Sequence, residues 1–355
     1  MTAKMTTEAA GLPVAVTMGD ACGIGPEIVA KLFRQITPTG GFVVGDVGVM
    51  RRAAQLTGGM LPLVVIDSPG ELADIPPDCL PILPCPGLPP DLLQVPFGTV
   101  DARAGAAAAR CIEAAVRLAM DGHVGAIVTA PIHKEALALA GLDFPGHTEM
   151  LQSLAAGGGA LAPVRMMLAN DELRCVLVTI HMSLRRAIDL LSTPLILETL
   201  RITHRSAAAW GLHAPRIAVA GLNPHAGEGG LFGDEEIRVI APAIAAARDE
   251  GIDASGPFAP DTVFMRARNT PAHPGEFDVV VAMTHDHGLI PVKYLGVEHG
   301  VNVTLGLPFV RTSPDHGTAF DLAGSGRADV SSLTAAWRMA RRLVAAGAVQ
   351  IQRQR

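Results

Sequence analysis

The stretch Val279–Ala319, VVVAMTHDHGLIPVKYLGVEHGVNVTLGLPFVRTSPDHGTA, carries the clearest signature of the fold in this chain. It begins with an apolar run typical of a strand that is buried on both faces, as strands are in the mostly parallel sheets of α/β proteins. The run stops at residues 284–288 (THDHG), so side chains that bind metals or move protons begin where the strand ends. In open α/β sheets, ligands bind at the carboxyl ends of the strands. The stretch therefore predicts an α/β protein with its functional site at that edge.

Composition narrows the class of protein. A chain of 355 residues is too long for one ordinary core and fits two domains, or one domain interrupted by another. The net charge of -6 and the lack of a basic block exclude a nucleic-acid partner, and no run of about 20 apolar residues predicts a membrane span. The five cysteines are scattered, without a C-x-x-C pair. This pattern favours a reducing compartment, and we expect a cytoplasmic protein.

Strand and helix signals alternate along the chain, as in a parallel α/β sheet. One stretch interrupts this alternation of strand and helix signals. Residues 68–100 are rich in proline, and we expect an irregular excursion there. The polar residues that include Lys134 and Lys293 follow predicted strands, and we expect both lysines to lie in loops.

Three predicted strands end at or just before histidines: His181 follows LVTI, His225 follows GLNP and His285 follows AMT. A single histidine in such a place is more often a hydrogen-bonded structural residue than a ligand. Parallel strands, however, bring their carboxyl ends to one edge of the sheet. Neutral imidazoles bind zinc and its first-row neighbours, and three of them would leave coordination positions open for substrate. The pattern predicts a divalent-metal site.

Further polar residues suit proton transfer and anion binding. Asp261, Asp286 and Lys293 are candidates for the catalytic base, and the two carboxylates are equally candidates for orienting the metal ligands. A second group suits a phosphate or carboxylate of a substrate. Its members are His147, Thr148, Lys293, Asn302 and Arg311.

Three classes of function fit these residues. A metal-dependent hydrolase would use the open site to activate water, a dehydrogenase also needs a nucleotide pocket, and a non-catalytic metal-binding protein needs neither. Residues 313–324 (SPDHGTAFDLAG) are similar to the loop that isocitrate and isopropylmalate dehydrogenases use for the adenosine part of their cofactor. This resemblance favours the dehydrogenase. It implies a cofactor-binding role for His316, Gly317, Thr318 and Asp321.

The whole chain, from about Val14 to the final helix, resembles the 4-hydroxythreonine-4-phosphate dehydrogenase family of vitamin B6 synthesis. The resemblance is carried by GHTEM, GLNPHAGEGG, THDHG, GVNVTLGLPFVRTS and DHGTA, which occur in this order. Residue by residue, it implies that His181, His225 and His285 are the metal ligands. It implies that the five anion-binding candidates of the second group bind substrate.

The resemblance also implies an architecture. The fold would comprise two α/β/α domains with mostly parallel sheets, like isocitrate and isopropylmalate dehydrogenases, with the active-site cleft between them. We expect residues 1–140 plus 300–355 to form the first, nucleotide-side domain, and residues 141–299 the second, with metal, substrate and dimer contacts. The implied protein is a homodimer that shares one divalent ion (Zn, Mg, Co or Mn) per site between subunits. It would use NAD or NADP to oxidise a small phosphorylated hydroxy acid.

The implied reaction is oxidation and decarboxylation of 4-hydroxythreonine 4-phosphate to 3-amino-2-oxopropyl phosphate. This sequence departs from the family pattern at Ala21-Cys22, at Thr284 and at His287, where the family usually has glutamine. These departures bear on the substrate more than on the reaction type. The spelling Ile290-Pro291-Val292-Lys293 is similar to that of paralogues that oxidise D-threonate or D-erythronate 4-phosphate. Such an enzyme of sugar-acid catabolism is the alternative expectation.

Overall fold

The computed structural model describes residues 11–35, 40–76, 78–144, 146–207, 210, 212 and 214–347. The chain divides into two compact units. Unit 1 comprises Met1–Gly157, Pro308–Arg311 and His316–Arg355, and unit 2 comprises Gly158–Leu307 and Thr312–Asp315. These units are defined by contacts, and the functional domains with boundaries at 140/141 and 299/300 stay a prediction.

Unit 1 contains a parallel sheet whose strands are almost entirely apolar. The strands are β1 (Val14–Thr17), β2 (Gly41–Gly45), β3 (Leu63–Val65), β4 (Leu80–Pro84) and β5 (Ala126–Thr129). Their order is β3-β4-β2-β1-β5, and all four pairings are parallel. Buried residues on β1, β2 and β5 require helices on the faces of the sheet.

Helices supply that cover. They are α1 (Gly25–Gln35), α2 (Val47–Leu56), α3 (Ala102–Met120), α4 (Lys134–Leu139), α5 (His147–Ala156) and the C-terminal α11 (Ser331–Ala345). Short 3-10 helices lie at Pro69–Asp74 and Leu92–Gln94. Helix α3 packs on β1, β2 and β5 and also contacts α4 and α5, whereas α1 contacts α2 and α11. The two groups of helices therefore form separate layers.

The irregular excursion predicted for residues 68–100 is wrong in part, because β4 lies there and pairs with both β2 and β3. The prediction failed there because β4 contains prolines, and a proline cannot donate a hydrogen bond to a neighbouring strand. Pro81 and Pro84 are the second and last residues of the strand. Strand β3 ends at Val65, which pairs with Ile82 of β4. The nitrogen of Pro84 therefore lies beyond the part of β4 that is paired with β3.

Unit 2 contains a mixed sheet. Its strands are β6 (Arg165–Ala169), β7 (Arg174–Leu177), β8 (Ile217–Ala220), β9 (Ala254–Phe258), β10 (Val279–Ala282) and β11 (Val301–Leu305), joined by the last residues of β12 (Val310–Pro314). The order is β12-β11-β6-β7-β10-β8-β9. Pairings from β12 to β7 are antiparallel, and those from β7 to β9 are parallel.

The helices of unit 2 are α6 (Leu184–Leu190), α7 (Thr193–Ala207), α8 (Ala241–Asp249), α9 (Val263–Ala267) and α10 (His285–Tyr294). A π-helical turn, Glu236–Ile240, leads into α8, and 3-10 turns lie at Pro224–Gly230 and Val297–His299. Helices α9 and α10 bury Val263, Leu289 and Val292 against Leu177 and Val280 of the sheet. This core fixes α10, which begins three residues after β10.

Helix α10 replaces the loop expected after β10, and Lys293 lies in its last turn rather than in a loop. Gly288 lies so close to the sheet that a Cβ there would come within 2.4 Å of Leu177 Cδ2 and 2.6 Å of Cys175 Sγ. The expected α/β class with mostly parallel strands is confirmed. No helix among the described residues is both long enough and apolar enough to span a membrane.

Candidate active site

A buried arginine marks the first group of candidate residues, which belongs to unit 1. Arg311 on β12 is 2% exposed, and it donates from Nε (3.2 Å) and Nη2 (2.7 Å) to the hydroxyl oxygen of Thr129 at the end of β5. Burial lowers the pKa of Arg311 to about 9, although the nearby charge of Glu149 acts to raise it. A buried cation in this condition is stabilised by an anion, which suits the predicted role in substrate binding.

His147 and Thr148 lie in the first turn of α5, where backbone amides point out of the helix and the N-cap residue, Gly146, has no side chain to cap them. The ring of His147 bonds the backbone of Ala130, and its Nε2 is buried without a partner among the described residues. Burial, reinforced by the charge of Arg311, holds the pKa of His147 well below its usual range. A neutral imidazole, a guanidinium and a helix N-terminus therefore meet near the end of β5.

The predicted cofactor residues lie in one loop of unit 1. His316 and Asp321 are exposed, and His316 Nδ1 lies 3.0 Å from the carbonyl oxygen of Gly317. Thr318 is buried, and its carbonyl oxygen accepts a hydrogen bond of 2.9 Å from the amide of Ile24. The loop is thus held against the turn between β1 and α1, while a Cβ at Gly317 would meet open space.

That turn contains Cys22, one of the departures from the family pattern. The thiol is buried, and burial together with the charge of Asp20 raises the pKa of Cys22 to about 12. A thiol in this state is not a nucleophile at neutral pH. Cys22 therefore serves packing.

The three predicted metal ligands follow neighbouring parallel strands of unit 2. His181 follows β7, His285 follows β10 and His225 follows β8, and these strands are adjacent in the order β7-β10-β8. The ring centroids of His181 and His285 are 5.7 Å apart. In the described part of one chain, however, no set of three or more histidine, cysteine, aspartate or glutamate side chains is arranged to hold a metal ion. One chain therefore brings together two of the three predicted ligands as a close pair.

The imidazole of His285 is oriented by its sequence neighbour. His285 Nδ1 lies 2.7 Å from Asp286 Oδ1, and the Asp286 side chain is 80% exposed. If His285 donates its Nδ1 proton to this carboxylate, Nε2 is left with a lone pair for a metal. The geometry therefore favours an orienting role for Asp286.

His225 lies on a segment with unusual backbone geometry. Residues 225–229 all have positive φ, including the non-glycine residues His225 (53°), Ala226 (52°) and Glu228 (45°). Such left-handed residues are strained and persist only where the surroundings determine them. His225 is exposed, and its Nδ1 lies 3.6 Å from Glu228 Oε2.

Glu236, which sequence reasoning missed, holds this segment. Its buried carboxylate accepts hydrogen bonds from the amides of Leu222 (2.7 Å) and Asn223 (2.8 Å) and from Asn223 Nδ2 (2.9 Å). Burial acts to raise the pKa of Glu236, but these hydrogen bonds outweigh it and hold the pKa below the usual value. The only sequence signal was a glutamate in an apolar helical pattern.

A cavity of about 610 Å³ opens beside these residues within unit 2. Its polar lining consists of His225, Asp261, Asp286 and His287. Its apolar lining includes Phe264, Met265, Ile290, Pro291 and Tyr294. Asp261 is exposed and has no hydrogen-bond or ion-pair partner among the described side chains, and the Nδ1 atom of His287 is buried without one. Of the departures from the family pattern at Thr284 and His287, His287 lines the cavity, whereas Thr284 is the buried N-cap residue of α10.

Lys293 and Asn302 complete the predicted set. Lys293 Nζ lies 2.6 Å from Asp315 Oδ2, so the ammonium group is paired with a carboxylate. Asn302 on β11 pairs with Ser313 of β12, and its Oδ1 is buried without a partner among the described residues. The ammonium group of Lys293 is thus held in place before any substrate binds.

Comparison with known proteins places this chain among dehydrogenases. Residues 39–340 match the family model described as pyridoxal phosphate biosynthetic protein PdxA. A 4-hydroxythreonine-4-phosphate dehydrogenase of Beijerinckia indica is 56% identical over 93% of this chain and 95% of that relative. A D-threonate 4-phosphate dehydrogenase of Salmonella typhimurium is 43% identical over 93% of this chain and 98% of that relative.

Among solved structures, a 4-hydroxythreonine-4-phosphate dehydrogenase from Klebsiella pneumoniae matches with a TM-score of 0.86 and 44% identity, covering 95% of this chain and 99% of that one. The relatives are dehydrogenases, which removes the hydrolase and the non-catalytic metal-binding protein from the alternatives. On the family model and the identity over nearly the whole chain, the protein belongs to the PdxA family of 4-hydroxythreonine-4-phosphate dehydrogenases.

Proposed function

We propose that this protein oxidises and decarboxylates 4-hydroxythreonine 4-phosphate to 3-amino-2-oxopropyl phosphate in pyridoxal phosphate synthesis, in the cytoplasm, with NAD or NADP as oxidant. The observation that carries the proposal is the 56% identity, over 93% of the chain, to a relative of that name. Supporting it, the chain retains all eight residues that the family resemblance assigns to metal and substrate.

The Arg311 region, which consists of Arg311, Thr129, His147 and the N-terminus of α5, is proposed to bind the anionic end of the substrate. The guanidinium of Arg311 is oriented by Thr129, and the amides at the N-terminus of α5 add a favourable field. His147, which is neutral, contributes a hydrogen bond without a charge. These groups hold the substrate in place so that the reacting carbon is positioned.

The donor chemistry of His181, His225 and His285 fits a divalent ion, whereas the geometry of one chain provides only the close pair His181–His285. The proposal therefore includes a homodimer in which a second copy completes the site. Zinc, magnesium, cobalt and manganese are the candidates. A bound divalent ion supplies polarisation of the substrate hydroxyl and stabilisation of the enolate that follows decarboxylation.

The remaining polar residues divide the proton chemistry. Asp286 orients His285, so Asp261, whose carboxylate has no partner among the described residues, is the proposed base for the hydroxyl proton. Lys293, held by Asp315, places an ammonium group that donates hydrogen bonds to the substrate. Asn302, with its buried carbonyl oxygen unpartnered, adds an acceptor.

The nicotinamide cofactor is proposed to bind at the loop of His316, Gly317, Thr318 and Asp321. Two properties of the loop support this. It is fixed to the β1–α1 turn by the hydrogen bond between Ile24 and Thr318, and Gly317 leaves open space for close approach of a ligand.

A second candidate substrate is D-threonate or D-erythronate 4-phosphate. The observation that favours it is the 43% identity, over 98% of its length, to a D-threonate 4-phosphate dehydrogenase. His287 in place of the family's usual glutamine lines the cavity of unit 2, where a change of side chain would select among substrates.

The test is NAD(P)H production by the purified protein with each divalent ion, comparing kcat/KM for 4-hydroxythreonine 4-phosphate and for D-threonate and D-erythronate 4-phosphates. A higher kcat/KM for the amino acid supports vitamin B6 synthesis. A higher value for a sugar acid moves the protein to sugar-acid catabolism with the same chemistry. Inactivity with all three overturns the proposal.

A further inference from the structure

Unit 1 leaves several polar atoms buried without a hydrogen-bond partner among the described residues. Four of these atoms lie at the end of β1, on the loops that follow β1 and β5, and on α5. They are Thr17 Oγ1, Asp20 Oδ2, His133 Nδ1 and His147 Nε2. Folded proteins pair nearly all such atoms, so each one needs a ligand or an ordered water. The proposed function uses only His147.

The residues that carry these atoms belong to one short segment, residues 129–133, or lie next to it. Thr17 lies beside Thr129 in the parallel register of β1 and β5, and neighbours in register point to the same face of the sheet. The amide of Asp20 donates to the carbonyl oxygen of Pro131 (2.9 Å), and the ring of His147 bonds the backbone of Ala130. Asp20 is thus bonded to the same segment, residues 129–133, that also contacts the anion-binding residues.

Asp20 divides its carboxylate between two roles. Oδ1 accepts the amide hydrogen of Cys22 at 2.8 Å and so shapes the turn between β1 and α1. Oδ2 has no partner, although Asp20 is fully buried. The turn packs closely on the segment of residues 129–133, since a Cβ at Gly19, where φ is +75°, would lie 2.6 Å from Pro131 O. The structural role of the residue therefore needs only one of its two oxygen atoms.

His133 presents a second unpartnered atom close by. Its ring stacks on Phe320, with centroids 4.7 Å apart and an interplanar angle of 13°, which fixes the orientation of the ring. His133 lies two residues after Pro131, whose carbonyl oxygen accepts the amide hydrogen of Asp20, so the two residues belong to loops that are bonded to each other. Phe320 belongs to the loop proposed to bind cofactor. An acceptor and an imidazole nitrogen thus lie on the loops that follow β1 and β5, and the imidazole ring stacks on this cofactor loop.

We propose that Asp20 Oδ2 and His133 Nδ1 form an additional binding subsite in unit 1 for a hydroxyl group of the bound ligand. A hydroxyl both donates and accepts, which matches a carboxyl oxygen beside an imidazole nitrogen. The hydroxyl belongs either to the phosphorylated hydroxy acid or to a ribose of the nucleotide. The inference rests on the proposed function for these ligands.

The test measures binding, by titration calorimetry on the purified full-length protein, of 4-hydroxythreonine 4-phosphate, D-threonate 4-phosphate, NAD and NADP. Asp20→Asn keeps Oδ1 for the Cys22 amide and changes only Oδ2. His133→Phe keeps the stack on Phe320 and removes Nδ1. Asp46→Asn is the matched control, since Asp46 also follows a strand and its Oδ1 accepts an amide hydrogen, that of Val49 at 2.8 Å.

We expect Asp20→Asn and His133→Phe to weaken the same ligand by about tenfold or more, with unchanged melting temperature and with inorganic phosphate bound as in the wild type. Loss of affinity for the hydroxy acid identifies its hydroxyl as the occupant, and loss for NAD or NADP identifies a ribose. Wild-type affinity of both variants for every ligand, or an equal loss in Asp46→Asn, overturns the subsite and leaves a buried water as the occupant. If the wild type oxidises no phosphorylated acid, the proposed function fails, and the nucleotide titrations decide the subsite by the same criterion.

Discussion

The Arg311 region differs from the histidine edge, which consists of His181, His225 and His285 with the neighbouring Asp286. The difference is how much of each site's geometry is complete within one chain. Arg311 is 2% exposed and is bonded twice to Thr129, so it needs no rearrangement to receive an anion. The side chains of His225 and Asp286 are 68% and 80% exposed, and His225 lies on a left-handed segment. The first region resembles a preformed pocket, and the second is a set of proposed metal ligands that would need groups from a second copy of the chain. Binding and chemistry should therefore respond differently to mutation.

The largest effect is expected from removing the buried cation. Arg311→Met should lower kcat/KM by about two to three orders of magnitude, because an anion bound in a desolvated place loses its charged partner. Arg311→Lys should not restore the activity, since Lys lacks the planar fork that Thr129 orients. The measurement is steady-state kinetics with the preferred substrate. Arg201→Met, which removes an exposed arginine paired with Glu250, is the control and should leave kcat/KM unchanged.

The exposed edge should be sensitive to loss of metal rather than to loss of anion binding. His225→Ala should lower metal affinity and turnover by about two orders of magnitude, because an imidazole ligand is removed. Metal content by mass spectrometry is the readout, together with affinity for inorganic phosphate, which should not change. His299→Ala serves as the control, because His299 is exposed and lies outside the set. Full metal content in His225→Ala would exclude His225 as a ligand.

Asp286→Asn probes orientation at the same edge and should have a smaller effect. The amide oxygen still reaches His285 Nδ1 but lacks the charge, so we expect metal affinity to fall by about tenfold. A matched titration of Asp189→Asn, an exposed aspartate on α6, controls for the loss of one surface charge. Unchanged metal affinity with lost turnover would instead make Asp286 the base and Asp261 dispensable.

Glu236 affects stability rather than chemistry, and its change is expected to be the smallest in activity. Glu236→Gln removes a charged acceptor from buried amides and should lower the free energy of unfolding of the metal-free protein by about 1–3 kcal/mol. Because the folded state lowers the pKa of Glu236 from its ordinary value of 4.5, the stabilisation is present above that pH and is lost as the pH falls below it. Urea unfolding of wild type and variant at neutral and acidic pH should therefore converge at low pH. Glu250→Gln, at an exposed ion pair, should leave the free energy of unfolding nearly unchanged.

The strands and helices that could be predicted best from the sequence are those with a long, unambiguous pattern of apolar residues. Strand β10 was expected from its apolar run. Helix α10 was missed because Gly288 and Pro291 disfavour a helix, whereas burial of Leu289 and Val292 in the core stabilises one. Tertiary packing outweighed local propensity there.

The candidate site divides in the same way. Residues at strand ends, such as His225 and Arg311, stand out in sequence because polar groups interrupt apolar patterns. Thr129 and Glu236 did not, because their partners lie far along the chain and their roles are hydrogen bonds to Arg311 and to the backbone. Long-range partners of this kind leave no local signal.

The close approach of Gly288 to strand β7 bears on how paralogues with different substrates diverge. With only 2.4 Å between a Cβ there and Leu177, position 288 has no space for a side chain while helix α10 keeps this packing on the sheet. A new substrate preference that keeps this packing therefore has to arise by exchange of side chains at other positions of the helix. Position 287, one residue before this glycine and facing the cavity, is the place where such an exchange changes the lining without disturbing the core.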